Sequence, residues 1–185
     1  MPRIALYGRP GAGKSTFATA LCDEGRRAGV QVQRLKLAAP LYEVQALVYA
    51  LAGRPLLESG AQDGLLLNAL GEAMRRINPE ALTGPFAARV QQAEARFPNA
   101  VLICDDMRAP DVDALAGLGF RLVEVTAPEE LRVRRKQQRA DLAAGDDHHC
   151  TEAAISLEPW QRVHNAGSLA ALREQAARMV REVLR

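Results

Sequence analysis

Aromatic residues are scarce in this chain of 185 residues: four Phe, three Tyr and one Trp make up 4%. Stacking surfaces for single-stranded nucleic acid are correspondingly few. Charge of one sign is also missing. Lys and Arg number 24 against 22 Asp and Glu, a formal +2, so there is no electrostatic footprint for bulk nucleic-acid binding. No apolar run approaches the roughly 20 residues of a membrane helix. After Met1-Pro2-Arg3 only four apolar residues precede Gly8, too few for a secretory core. Three cysteines (Cys22, Cys104 and Cys150) are too few and too scattered for a disulfide framework. A cytoplasmic protein that uses neither membrane nor nucleic acid is therefore expected.

What is present is 48% hydrophobic and 25% charged, the composition of an ordinary globular domain. No repeat or linker divides it, and one domain over residues 1–185 is expected. Strand-like and helical periods alternate. Residues 3–7 read as a buried strand, 14–28 as a helix and 30–37 as a second strand. A helix-rich stretch follows over 40–97, broken near 53–64 and 78–85. Residues 100–104 form a short, wholly apolar run ending in Asp105-Asp106, as in a central parallel strand. Residues 120–125 and 161–164 read as further strands, 129–142 as a strongly basic helix and 168–184 as an amphipathic closing helix. The pattern implies an α/β fold, a parallel sheet of about five strands with helices on both faces.

The sharpest motif is Gly8-Arg9-Pro10-Gly11-Ala12-Gly13-Lys14-Ser15, a full match to G-x-x-x-x-G-K-[ST] between a strand and a helix. Glycines there let successive N–H groups converge on one anion, and the helix N-terminus adds partial positive charge. A nucleoside triphosphate held with Mg²⁺ is the expected ligand. Gly11, Ala12 and Gly13 supply backbone, Lys14 the charge for the β- and γ-phosphates, Ser15 a hydroxyl for Mg²⁺, and Thr16 a contact near the α-phosphate. Asp105 and Asp106, at the end of a strand, are candidate metal carboxylates.

The four asparagines (Asn68, Asn78, Asn99 and Asn165) are followed by Ala, Pro, Ala and Ala, so the N-K-x-D of guanine-nucleotide switches is absent, as is D-x-x-G. Arg132, Arg134, Arg135, Lys136 and Arg139 instead concentrate positive charge after the fourth strand. Phosphoryl transfer to an anion needs such neutralisation more than covalent help.

A family resemblance follows from these and further segments. Leu37-Ala38-Ala39-Pro40-Leu41 resembles "F-A-x-P-L". Leu70-Gly71 with Arg76 and Asn78-Pro79 resembles "L-G…R…P", and Asp106-Met107-Arg108 resembles "D-x-R". Gln137-Gln138-Arg139, Asp146-Asp147 and Thr151-Glu152 resemble a mobile lid with an acidic edge. Residues 163–169 resemble "I-x-N-x-G-S-L". Together they resemble the P-loop small-molecule kinases that include phage-type deoxynucleoside monophosphate kinases and animal-type phosphomevalonate kinases.

The resemblance implies a core over 1–37, 98–131 and 155–185, an acceptor-binding helical insert over 38–97 and a lid over 132–154. It implies transfer from ATP, with Mg²⁺, to a small phosphate monoester. Arg76 and Arg108 would clamp the acceptor, with Lys36 and Tyr42 beside it. Arg139 and Arg135 would close over the transferring group, and Asn165 and Gly167 would lie near the adenine. Asp106 would rank before Asp105 as the site carboxylate, so that Lys14, Arg108, Arg139 and Asp106 carry the catalysis. A nucleoside 5′-monophosphate, deoxy or modified pyrimidine, is the leading acceptor; phosphomevalonate, dephospho-coenzyme A, a hydroxyl acceptor or a nucleotide-gated regulatory role are the alternatives. A monomer or homodimer is expected. The run Asp146, Asp147, His148, His149, Cys150 is not expected to hold zinc, because adjacent side chains do not converge on one metal.

Overall fold

The computed structural model describes residues 1–57, 61–138, 141–143, 145 and 155–184. Its strands are β1 (Arg3–Tyr7), β2 (Val32–Leu35), β3 (Val101–Cys104), β4 (Arg121–Thr126) and β5 (Gln161–His164). Its helices are α1 (Lys14–Arg27), α2 (Ala39–Leu51), α3 (Gly64–Ile77), α4 (Thr83–Arg96), α5 (Val112–Gly117), α6 (Glu129–Gln137) and α7 (Leu169–Val183). None is long and apolar enough to cross a membrane.

All four strand pairings are parallel, in the order β2-β3-β1-β4-β5. Period-two alternation in β1 sends Ile4 and Leu6 to one face and Ala5 and Tyr7 to the other. The first pair joins a core with Phe17, Leu21, Leu172 and Met179 from α1 and α7. The second joins Phe86, Val90, Leu115 and Phe120, from α4, α5 and the residue before β4. Phe86 and Phe120 pack with ring centroids 5.6 Å apart, tilted by 44°. Helices thus cover both faces, and β1 is flanked by β3 and β4. Its C-terminal end is the switch point at which open parallel sheets bind ligands.

Two elements are shorter than their periodicity suggests. β2 spans four residues rather than eight, because the N–H of Val30 bonds to Gly25 and those of Leu37 and Ala38 to the Asp106 carboxylate. α6 stops at Gln137 instead of residue 142. Beyond it the backbone turns to the insert: Leu142 donates to the Gln62 carbonyl at 2.8 Å, and Gly64 to the Ala143 carbonyl at 2.8 Å.

Candidate active site

The glycine-rich loop joins β1 to α1 as the motif requires. Gly11 has φ +80°, and a Cβ there would meet the Arg132 carbonyl oxygen at 2.6 Å; Gly13 has φ +95° and would meet Asn165 Nδ2 at 2.1 Å. Both the turn and the close approach of α6 therefore demand glycine. No side chain caps α1. The first turn presents orphan N–H groups, the arrangement that binds an anion. Lys14 curls over the loop, its Nζ 2.6 Å from the Gly8 carbonyl, and Thr16 is exposed in the first turn.

Residues after β4 and β5 brace this loop from behind. Asn165, 6% exposed, donates Nδ2 to the Ala12 carbonyl at 2.8 Å. Arg135 donates to the Asn165 carbonyl at 3.2 Å and to that of Gly11 at 3.5 Å. The amide of Asn165 is thus spent on the loop, and exposed Gly167 precedes α7.

The two aspartates after β3 have different surroundings. Asp105, its side chain wholly buried, accepts from Ser15 Oγ at 2.9 Å. Arg34 grips it with two arms, Nε at 2.8 Å, and Lys36 Nζ stands 2.9 Å away. Burial pulls its carboxyl upward, but the Arg34 hydrogen bond and the Lys36 charge outweigh it and hold the group below the ordinary carboxylate value. The Ser15 hydroxyl and Asp105 carboxylate form a hard oxygen pair that fits Mg²⁺. Asp106 instead accepts from the N–H groups of Leu37 at 2.9 Å and Ala38 at 3.2 Å. Burial is the largest influence on it and pushes its carboxyl up, with Lys36 and the two N–H groups offsetting part.

Asp106 lines a cavity of about 400 Å³ that reaches Pro10 of the phosphate loop. Arg75, Arg108 and Lys136 line it together with the carboxylates of Asp106, Asp111 and Asp141, and Tyr42, Gln62 and Asn68 add hydrogen-bonding groups. Tyr42 Oη accepts from Gln62 at 3.2 Å. Arg75 bonds Asp111 Oδ1 at 2.8 Å, while Asp111 Oδ2 accepts from the Arg108 N–H at 3.0 Å. One buried carboxylate thereby holds the Arg75 guanidinium and the backbone at Arg108.

Arg76 is exposed and does not line the cavity, and Lys36 sits at Asp105 rather than in the cavity. Arg139, Asp146, Asp147, Cys150, Thr151 and Glu152 lie outside the described residues. Arg34, Arg75, Asp111, Gln62 and Asn68 were not anticipated, and Lys136 was named only as part of the basic run. For Arg75 the signal was present: it lies four residues after Gly71, whose would-be Cβ faces Leu41, so both belong to the inward face of α3.

No family model matches the chain, and no curated protein does. Solved structures do. TT1252 from Thermus thermophilus aligns over 98% of this chain and 97% of its own, with a TM-score of 0.61 and 24% identity. The APS kinase CysC of Mycobacterium tuberculosis, in complex with AMPPNP and APS, aligns over 100% and 99% with a TM-score of 0.52 and 16% identity. Shikimate kinase from Acinetobacter baumannii, in complex with shikimate, aligns over 100% and 93% with a TM-score of 0.51 and 15% identity. The five-stranded parallel sheet, the braced phosphate loop and these likenesses together give the chain the α/β fold of the P-loop kinases.

Proposed function

We propose that the chain is an ATP-dependent phosphotransferase whose acceptor is a nucleoside 5′-monophosphate, a deoxy or modified pyrimidine nucleotide, giving the diphosphate. The observation that carries this reading is the cavity beside the phosphate loop, with Arg75, Arg108 and Lys136 on its wall. Three cations suit a phosphate monoester, and the amides of Gln62 and Asn68 suit a hydrogen-bonding base.

In this reading the loop N–H groups and Lys14 hold the β- and γ-phosphates, while Arg135 and Asn165 keep the loop rigid. Ser15 and Asp105 would hold Mg²⁺, which would supply neutralisation of the phosphate charge. Arg108 and Arg75 hold the acceptor phosphate in line. An acceptor oxygen, already anionic near neutral pH, forms the new P–O bond as the bond from the γ-phosphorus to the β,γ-bridging oxygen breaks, leaving ADP. No proton need be removed, so positioning and electrostatics supply the rate.

One observation favours a second reading. Asp106 faces the cavity, and burial raises its carboxyl, so it suits a base that takes the proton of a hydroxyl acceptor. The APS kinase and shikimate kinase among the similar structures were solved with APS and with shikimate.

An acceptor panel separates these readings. Protein, ATP and Mg²⁺ are incubated with ribo-, deoxyribo- and 5-substituted pyrimidine monophosphates, purine monophosphates, phosphomevalonate, dephospho-coenzyme A, shikimate and bare nucleosides, followed by chromatography. Conversion of a pyrimidine monophosphate to its diphosphate is expected. Turnover of hydroxyl acceptors alone, abolished in Asp106→Asn, establishes the second reading. ATP hydrolysis indifferent to every acceptor contradicts both and favours a regulatory role.

A further inference from the structure

Near the middle of α2 a polar side chain is sealed from water: Gln45 is 1% exposed. A buried amide is costly unless both of its ends are paired. Here both are. Its Nε2 donates to the Ala61 carbonyl at 2.9 Å, and its Oε1 accepts from the Asp63 N–H at 2.8 Å. One residue of a neighbouring parallel strand makes the same two bonds, to a carbonyl and to the N–H two residues on. The Gln45 side chain thus stands in for a strand beside Gln62.

The other edge of that segment pairs with the chain itself. Leu142 donates to the Gln62 carbonyl and Gly64 to the Ala143 carbonyl, both at 2.8 Å, and Asp63 pairs with Ala143 in parallel. Backbone groups of successive residues in an extended chain face opposite edges, so the two sets of bonds do not compete. Side chains alternate as well. Gln62 lines the cavity and donates Nε2 to Tyr42 Oη at 3.2 Å. Asp63 instead caps α3 at the Leu66 N–H and accepts from Tyr49 Oη at 2.7 Å. From that cap α3 runs on to Asn68 and Arg75 of the cavity wall. Gln45 itself does not line the cavity.

We propose that Gln45 is a positioning residue for the acceptor cavity. It fixes residues 61–64 in the extended form on which residues 142–143 dock, and so sets the part of the wall that Gln62 and Gly64 supply. For the identity of the acceptor this rests on the kinase reading above; the positioning rests on the hydrogen bonds alone.

Exchange of single amide hydrogens, followed by NMR and read beside initial rates with thymidine monophosphate, tests it. In Gln45→Met, close in size but without hydrogen-bonding groups, the Asp63 N–H loses its partner directly. The N–H groups of Gly64 and Leu142 bond elsewhere, so their exchange should rise about tenfold only if Gln45 holds the segment, and by more than that of Leu102 and Ile103 in β3. The same variant should raise the thymidine monophosphate KM about tenfold and leave the ATP KM within about twofold. Gln45→Asn, one methylene short of reaching both partners, should show the same pattern in smaller measure, and it carries the test if the methionine variant fails to fold. Faster exchange confined to Asp63, or spread evenly over the chain with both KM values changed alike, would overturn the proposal. If the unaltered chain converts no nucleoside monophosphate, the kinase reading fails and the exchange pattern still decides the role of Gln45.

Discussion

Asp105 and Asp106 are adjacent in sequence and opposite in electrostatics, because successive residues past a strand end face different surroundings. Asp105 turns to Arg34, Lys36 and Ser15, and Asp106 to two backbone N–H groups and the cavity. The depressed value of Asp105 makes its stabilising effect present above the unfolded carboxylate value, 3.8, and lost as pH falls through the depressed folded value. Asp105→Asn should therefore lower the urea midpoint at pH 7, and the deficit should shrink once pH drops below about 3.8. A deficit that is constant across this range would show that charge is not the cause. Arg75 and Arg76 form a second informative pair. Arg75→Ala should raise the acceptor KM strongly, leave the ATP KM nearly unchanged and cost about 3 kcal/mol of stability, because buried Asp111 loses its cation. Arg76→Ala, on the exposed face, should do neither. Initial rates with each substrate varied, together with urea unfolding, check both.

At the scale of elements, the segment after α6 docks on the loop before α3. Gln45 and Tyr49 of α2 hold that loop from beneath, through Asp63 N–H at 2.8 Å and Asp63 Oδ2 at 2.7 Å, and Asp63 caps α3. Gly64 and Gly145 touch: a Cβ on Gly64 would lie 2.2 Å from the Gly145 backbone nitrogen. Gly64→Ala must push the two backbones apart at one mouth of the cavity, since Gly64 and Gly145 both line it. The expected outcome is a raised acceptor KM with an unchanged ATP KM and a stability loss of about 1 kcal/mol. An effect on ATP alone would show that this contact does not serve the cavity. None of this docking was legible in the sequence. The basic run over 129–142 reads as one uninterrupted helix, whereas α6 stops at Gln137 and Leu142 and Ala143 bond to Gln62 and Gly64, about 80 positions away. The phosphate loop and β5 were legible, since each rests on local constraints: glycine conformations in one, period-two alternation in the other.

At the scale of the molecule, the layout explains why the phosphate loop is legible as one motif, while of the cavity wall Tyr42, Asp106 and Arg108 were named from the sequence and Gln62, Asn68 and Arg75 were not. The loop's geometry depends on contiguous residues between β1 and α1. The cavity wall gathers Tyr42, Asn68, Arg75, Arg108 and Lys136 from separate parts of the chain, and its charge depends on helix phase. Arg75 lines the cavity and the neighbouring Arg76 is exposed, one residue and about 100° further around α3. The sheet order places β3, with its paired aspartates, next to β1, so the two halves of the site meet at the switch point. The central claim is that loop and cavity are two halves of one transfer site. Calorimetric titration with adenosine and thymidine joined through five phosphates, in the presence of Mg²⁺, tests it most directly. The account requires one site per chain, affinity at least about 100-fold above that of ATP or of thymidine monophosphate alone, and loss of that gain in both Lys14→Ala and Arg108→Ala. Affinity no greater than that of ATP, with Arg108→Ala indistinguishable from the unaltered chain, would contradict it.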